Sequence, residues 1–427
     1  MISDPDGFIG TILAIEGISD ARVVLNGPTG CRINPLSLSN RLFPRDNPIK
    51  QRSSDEPFFF GQSRIPCTYL DRDDYIHGST HKLKEILPQI AGKGDAILGL
   101  VNSPGASLLG DDLKRFLTDA NLDDVCISFE GAAYSRPFTE GYDRAMAAVL
   151  RWLKLNNLPK TRNRVNLIGF SLIQKYWQGN VAEISHLCNL MGLVVVSVPG
   201  AGSSVAEIRE STTAAHNIVI FPEYCRKTAD FYESEFGIPP ICSPGGAPVG
   251  FTATEIWIRT VAVATGCDPG PALDEIRKCR VHAYNQISRS HSMGGFPRGM
   301  TFAIRGDSSF VVPLTIWLFD YLAMIPVSVD FIGEEDPVMV QQLREFLSSH
   351  MFSSNVIGAD PEINEPDIYF GDELTGRGLI LSEKSWKSID ILNRTFRTMD
   401  FTQKAFLGGQ GALWILELIF NPEENFF

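Results

Sequence analysis

Ala21-Arg22-Val23-Val24-Leu25-Asn26-Gly27-Pro28-Thr29-Gly30-Cys31 is the stretch whose reading decides the fold. Positions 21–25 form a short apolar run bounded by turn residues, which predicts a buried strand. Gly27 and Gly30 free the backbone and Pro28 stiffens it, so the turn presents Cys31 just past the strand's carboxyl end rather than packing it. A thiolate offered in this way is a ligand for iron. Cys67, in Arg64-Ile65-Pro66-Cys67, also lies on a proline-containing turn before a polar stretch. The two cysteines together suggest a cluster gripped between strand ends. Their separation is not a diagnostic spacing, and free cysteines are commonly inert core residues, so buried thiols stand as the other reading.

Working outward, the chain from Gly10 to Leu158 alternates β-rich runs with amphipathic stretches. Strands are expected at 21–25, 96–101 and 125–129, and helices at 81–90, 111–120 and 142–155. Such alternation predicts a parallel sheet covered by helices, with its functional loops at the carboxyl ends of the strands. The polar linker Asn156-Asn157-Leu158-Pro159-Lys160-Thr161-Arg162-Asn163 marks a border. A second unit comes next, with strands at 165–168, 193–198 and 218–221, helices at 179–191 and 227–236, and a segment at 268–293 that is helical and then polar. After Gly294-Gly295-Phe296-Pro297-Arg298-Gly299 come strands at 300–304, 327–331, 367–370 and 378–381. Asp307 and Ser308 suit the N-cap of a helix reaching about 322, and Gly408-Gly409-Gln410-Gly411-Ala412 opens a helix to 420. The expectation is three successive Rossmann-like α/β domains with parallel sheets, at 1–158, 159–294 and 295–427.

A chain of 427 residues exceeds what one core supports. Hydrophobic and charged contents of 44% and 21% are those of a soluble globular protein. The formal charge of −12 argues against a general binder of nucleic acid or of anionic membranes. No apolar run spans a bilayer, and Met1-Ile2-Ser3-Asp4-Pro5-Asp6 lacks the basic start of an export signal, so a cytoplasmic protein is expected. Eight scattered cysteines are no disulfide framework; in a reducing compartment they are free thiols or metal ligands.

Other motifs are weak. Gly200-Ala201-Gly202-Ser203-Ser204 precedes a helix start and could hold an anion, but it lacks the third glycine of a dinucleotide fingerprint. No P-loop occurs, so any ATP would arrive with a partner. His77 and His81 are four apart with Gly78 between them, which favours a solvated or capping role over a metal pair. Neither a Cys-x-x-Cys pair nor a Gly-x-Ser-x-Gly elbow is found. Cys225 lies beside Arg226 and Lys227, which would favour its thiolate; Cys126, Cys188, Cys242, Cys267 and Cys279 read as structural.

Taken together, the landmarks resemble the nitrogenase component 1 family. Gly27-Pro28-Thr29-Gly30-Cys31 is similar to the family's first cluster-cysteine turn, and Asn40-Arg41-Leu42-Phe43 to the segment just beyond that turn in β-type chains. Cys67, before Asp73-Asp74-Tyr75-Ile76-His77-Gly78, is placed like the second. Ser103-Pro104 with Leu109-Gly110-Asp111-Asp112-Leu113 resembles the Cys…Gly-Asp-Asp segment, and Phe129-Glu130-Gly131 the next turn. Phe236-Gly237-Ile238-Pro239, Gly250-Phe251-Thr252-Ala253-Thr254-Glu255, Phe302-Ala303-Ile304-Arg305-Gly306-Asp307 and Gly411-Ala412-Leu413-Trp414-Ile415-Leu416 continue in family order.

This resemblance implies a nitrogenase-like reductase subunit holding an iron-sulfur cluster, [4Fe-4S] or larger and P-cluster-like, at a subunit interface. Cys31 and Cys67 would be its ligands, with Gly30 and Ser103 in the binding turns. The implied partners are a homologous component 1 subunit, same or different, in a dimer or heterotetramer, and an ATP-dependent homodimeric iron-sulfur protein as electron donor. The runner-up is a non-catalytic scaffold for a metallocluster or tetrapyrrole. Two departures shape the chemistry. Ser103 stands where the family's third cluster cysteine belongs, leaving half of a four-cysteine site unless Cys126 turns toward it. Phe221 stands where cofactor-bearing subunits offer a cysteine, and no histidine comes after His350, so an iron-molybdenum type cofactor is not expected.

Overall fold

The computed structural model describes residues 4–42, 64–92, 94–131, 135–291, 295–393 and 402–421. Phe43, Gly294 and the end of the segment 268–293 lie outside them. The chain forms two compact units, one of Met1–Pro159, Val196–Thr213 and Arg226–Gly237, the other of Lys160–Val195, Ala214–Cys225 and Ile238–Phe427.

The first unit holds a parallel sheet of β1 (Ala21–Asn26), β2 (Ile97–Asn102) and β3 (Cys126–Phe129), in the order β1-β2-β3. Every residue of β1 and β2 is buried, as in parallel strands covered on both faces. A cluster containing Val24, Leu98 and Leu100 packs against Leu83, Leu87, Phe116 and Leu117 of the helices Thr80–Ala91 and Leu113–Asp119. The helix Gly7–Glu16 touches the helix Phe138–Trp152 backbone to backbone: a Cβ on Gly141 would lie 2.1 Å from the Gly7 carbonyl oxygen. That first helix escaped the sequence reading because it is buried almost all round and carries no polar stripe. Asp143 holds the N-terminus of the helix Arg226–Phe236, accepting from the Lys227 and Thr228 amides at 2.6 and 2.9 Å.

The remaining strands, most of them in the second unit, form two more parallel sheets. One comprises β4 (Thr161–Ile168), β5 (Val194–Ser197), β6 (Ala214–Val219) and β7 (Pro240–Cys242), in the order β5-β4-β6-β7. The other comprises β8 (Thr301–Gly306), β9 (Ile325–Phe331), β10 (Ile368–Gly371) and β11 (Lys387–Asp390), in the order β11-β10-β8-β9. In each sheet the earliest strand lies between two others, so strand order reverses beside β4 and beside β8, where ligands bind in doubly wound sheets. The α/β architecture with three parallel sheets is the one expected.

Two strands need correction. Residues 378–381 belong to the helix Glu373–Leu381, whose N-terminus Asp372 caps by accepting from the Thr375 amide at 2.9 Å. Four apolar residues alone do not separate strand from helix, and the cap upstream decides. β6 begins at Ala214, ahead of the apolar run at 218, since the strand tolerates His216 and Asn217. No helix among the described residues is long and apolar enough to cross a membrane.

Candidate functional site

The carboxyl edge of the first sheet is organised by buried polar groups. Asn26 ends β1 and donates from Nδ2 to Asn102 Oδ1 at 2.9 Å and to Ser79 Oγ at 3.0 Å. Thr68 Oγ1 donates to Asn26 Oδ1 and accepts the Gly27 amide, both at 2.9 Å. Ser79 is fixed by Asp111 Oδ2, through its amide at 2.9 Å and its hydroxyl at 2.6 Å. Such groups must be paired once removed from water, and each bond ties one loop to another.

This network brings the second cysteine to the first. Leu25 donates to the Pro66 carbonyl at 2.8 Å and accepts from the Thr68 amide at 3.0 Å, so Cys67 bridges to Leu25 along the free side of β1. Cys67 therefore sits on an extended edge rather than on the open turn expected, and it is 1% exposed. Its thiol donates to the Gly27 carbonyl at 2.9 Å and accepts weakly from the Tyr69 amide at 3.5 Å. Cys31 is half-buried and lies in the first turn of the helix Thr29–Leu42, since Pro28 and Thr29 start a helix at once. Burial pushes the Cys67 thiol up; the Tyr69 amide and Arg32 pull it down, and Cys31 pushes it up again. Both cysteines thus lie at the carboxyl end of β1, Cys67 along its free edge and Cys31 in the helix that follows it.

Ser103 stands at the same edge, wholly buried, with its amide on the Asn26 carbonyl at 2.8 Å and its Oγ accepting from the Ala106 amide at 3.2 Å. Gly30 is exposed, and a Cβ there would meet nothing within 4 Å. Sequence reasoning overlooked Tyr75. Its hydroxyl bonds to Ser103 and lies over Gly105, whose Cβ would come within 2.8 Å of it. Burial first, and then Cys31 and Cys67, raise the Tyr75 phenol. The signal for it was its place in the segment 73–78 that carries part of the family resemblance.

The edge offers two thiols, and among the described residues no group of three or more His, Cys, Asp or Glu is placed to hold a metal. These residues fit half of a four-cysteine site. Cys67 would give up its proton and its bond to Gly27 on ligation, with Arg32 and the Tyr69 amide left to balance the sulfur's charge. Ser103 Oγ is already spent on Ala106 and Tyr75 and, as an alcohol, is a poor ligand for iron. On the same segments Ile33, Tyr69, Ile76 and Leu108 are 61%, 51%, 66% and 86% exposed.

The remaining candidates lie elsewhere. Cys126 pairs with Leu98 at the amino end of the sheet, opposite Cys31, and burial pushes its thiol up to about 12. Cys225 is buried in the second unit, its Sγ 3.5 Å from the Phe221 carbonyl. His77 ends a short turn of helix at Gly78 while His81 lies in the next helix beside Asp74, so they share no face. The glycine loop is used internally: Gly200 O accepts the Tyr142 hydroxyl at 3.0 Å, the Gly202 amide bonds to Gly17 O, and Ser204 with Glu207 forms a capping box.

A family model described as Nitrogenase component 1 type Oxidoreductase matches residues 7–372. The B subunit of the light-independent protochlorophyllide reductase of Chaetosphaeridium globosum is 23% identical over 385 residues, 84% of this chain and 73% of that protein. Its counterpart from Synechococcus sp. (strain CC9311) is 28% identical over 214 residues, 47% of this chain and 40% of the relative. Among solved structures, Nitrogenase Cp1 at pH 6.5 superposes with a TM-score of 0.75 at 15% identity, covering 98% of this chain and 94% of that one. That last likeness is one of fold.

Proposed function

Because the chain belongs to the nitrogenase component 1 type oxidoreductases, we propose that it is a reductase subunit contributing Cys31 and Cys67 as one half of an iron-sulfur site shared with a homologous subunit. The observation that carries this reading is the placing of both cysteines at the carboxyl end of β1, Cys67 along its edge and Cys31 in the helix that follows, with exposed apolar side chains on the same segments. A second half-site, from another copy in a dimer or a related chain in a heterotetramer, would complete a [4Fe-4S] or larger cluster. When bound, such a cluster supplies one-electron relay at low potential.

The chain's own residues do the rest. Cys31 and Cys67 release their protons, Arg32 and the Tyr69 amide offset the charge gained, and the Ser103–Tyr75 hydroxyl pair stands at the same sheet edge. Ile33, Tyr69, Ile76 and Leu108 exclude water once a partner covers them, which lowers the local dielectric around the site. Lacking a P-loop, the chain would take electrons from an ATP-dependent homodimeric iron-sulfur protein. Similarity to proteins named for protochlorophyllide reduction makes a tetrapyrrole the first substrate to try.

Electron paramagnetic resonance of the dithionite-reduced complex, purified without oxygen, should report a cluster signal together with stoichiometric iron and sulfide. Cys31→Ala should abolish both. Full iron content in that variant would end this assignment, and a cluster present without turnover would turn the reading toward an assembly scaffold.

A further inference from the structure

The free side of β1 is closed by side chains as well as by backbone. Alternate residues of a strand turn their N–H and C=O groups to the same side, and here these are Ala21, Val23 and Leu25. Leu25 meets Pro66 and Thr68, whereas the Val23 amide donates to Glu16 Oε1 at 3.0 Å and the Ala21 carbonyl accepts from the Arg64 guanidinium at 3.1 Å. Arg64 and Glu16 are themselves an ion pair, Nε to Oε2 at 2.6 Å. Where the backbone ladder ends, one acid and one base continue it.

Glu16 is the last residue of the helix Gly7–Glu16 and is 0% exposed. Its three partners lie on three different segments. Val23 belongs to β1, and Arg64 stands three residues before Cys67. Ser39, also wholly buried, donates its hydroxyl to Oε2 from the helix Thr29–Leu42, which carries Cys31 in its first turn. A carboxyl group removed from water needs such donors, and it fixes each of them in return. The two routes to the cysteines differ in stiffness. From Arg64 the chain leads within three residues to Cys67, whose neighbours Pro66 and Thr68 are bonded to Leu25. Between Ser39 and Cys31 the helix passes Pro35, which has no N–H for the Cys31 carbonyl and loosens that turn.

We propose that Glu16 is a positioning residue for Cys67: through Arg64 it holds the segment 64–67 on β1, and Val23 and Ser39 hold Glu16. This role rests on the reading of the two thiols as iron ligands. An ion pair that merely kept the unit folded would, when broken, loosen every buried thiol alike, whereas a positioning pair loosens Cys67 ahead of the rest.

Alkylation of the iron-free full chain with iodoacetamide, read cysteine by cysteine by mass spectrometry, tests this. Cys126 in the same unit and Cys188 in the other, 1% and 0% exposed, are the controls. Glu16→Gln keeps the shape and an oxygen for Val23 but sets N–H groups against Arg64. It should raise the Cys67 rate about tenfold or more, raise Cys31 less, and leave Cys126 and Cys188 within about twofold of the wild type. Arg64→Met should reproduce the rise at Cys67, and Arg64→Lys, which keeps a charge for Glu16, should restore most of the wild-type rate; this pair carries the comparison should Glu16→Gln not fold. On reconstitution with iron and sulfide, Glu16→Gln should bind iron about 10–100-fold more weakly than the wild type, the usual cost of removing a group that orients a metal ligand. No rise at Cys67, a rise shared equally with Cys126 and Cys188, or wild-type iron affinity in Glu16→Gln would overturn the proposal. Absence of iron from every form, the wild type included, would end the cluster assignment instead, and the alkylation pattern would still decide whether Glu16 places Cys67.

Discussion

The Cys67 thiol donates its proton to the Gly27 carbonyl oxygen across 2.9 Å, linking the residue just after β1 to the edge segment that runs beside it. This bond holds the two ligand-bearing segments in register before any metal is present, and it is the bond that ligation would replace.

Cys67→Ser and Cys67→Ala should therefore separate folding from ligation. Both should lose iron. Serine keeps a hydroxyl for Gly27, so only the alanine variant of the iron-free chain should lose about 1 kcal/mol in urea unfolding. Equal stability of the two variants would show that the thiol–carbonyl bond contributes nothing.

Gly27 has no room for a side chain. A Cβ there would lie 2.5 Å from Ser103 Oγ and 2.6 Å from Ser103 Cβ. Gly27→Ala should cost about 1–3 kcal/mol, the range for an overpacked site. Adding Ser103→Gly should recover most of the loss, and a double variant as unstable as Gly27→Ala alone would mean the clash is relieved elsewhere.

Alkaline pH should weaken the first unit through Cys126. Its thiol rises from 9.0 to about 12 because the fold buries it, so the folded state favours the neutral form. That contribution is fully present below about pH 9 and is lost as pH climbs toward 12. Cys126→Ala should start less stable, since it leaves a cavity, but should lose less between pH 8 and pH 10.5. Parallel urea midpoints for the two proteins across that interval would refute the linkage.

Lys175 and Asp390 pair at 2.8 Å with side chains 4% and 14% exposed. Burial raises the Asp390 carboxyl and Lys175 pulls it back, so removing the lysine strands an acid away from water. Lys175→Met should cost about 3–5 kcal/mol, whereas the double replacement Lys175→Met with Asp390→Leu should cost much less. Thermal unfolding of the three proteins decides this, and a double variant worse than either single one would contradict it.

The sequence was most legible where one signal sufficed. β1, β2 and β8 appear within a residue or two of their expected places because each is an apolar run between turn residues. It was least legible where packing overrides pattern: Gly7–Glu16 is apolar on every side, and the short run at 378–381 comes after a cap that makes it helix. The candidate site divides in the same way. Cys31 and Cys67 were nameable from their turns and from the family resemblance, while the role of Tyr75 was not, since nothing local shows that its hydroxyl meets Ser103, 28 positions away in the chain.

By itself the sequence determined the alternation of strands and helices, the parallel sheets, the family and the two thiols, because periodicity and turn chemistry act over a few residues. Only the tertiary structure decided that Cys67 lies along β1 beside Gly27, that Cys126 points to the other end of the sheet, and that Glu223 rather than Asp307 caps the helix Ser308–Leu322. Those are contacts between residues far apart in the chain, fixed by which polar groups find partners once water is gone, and no local pattern encodes that choice.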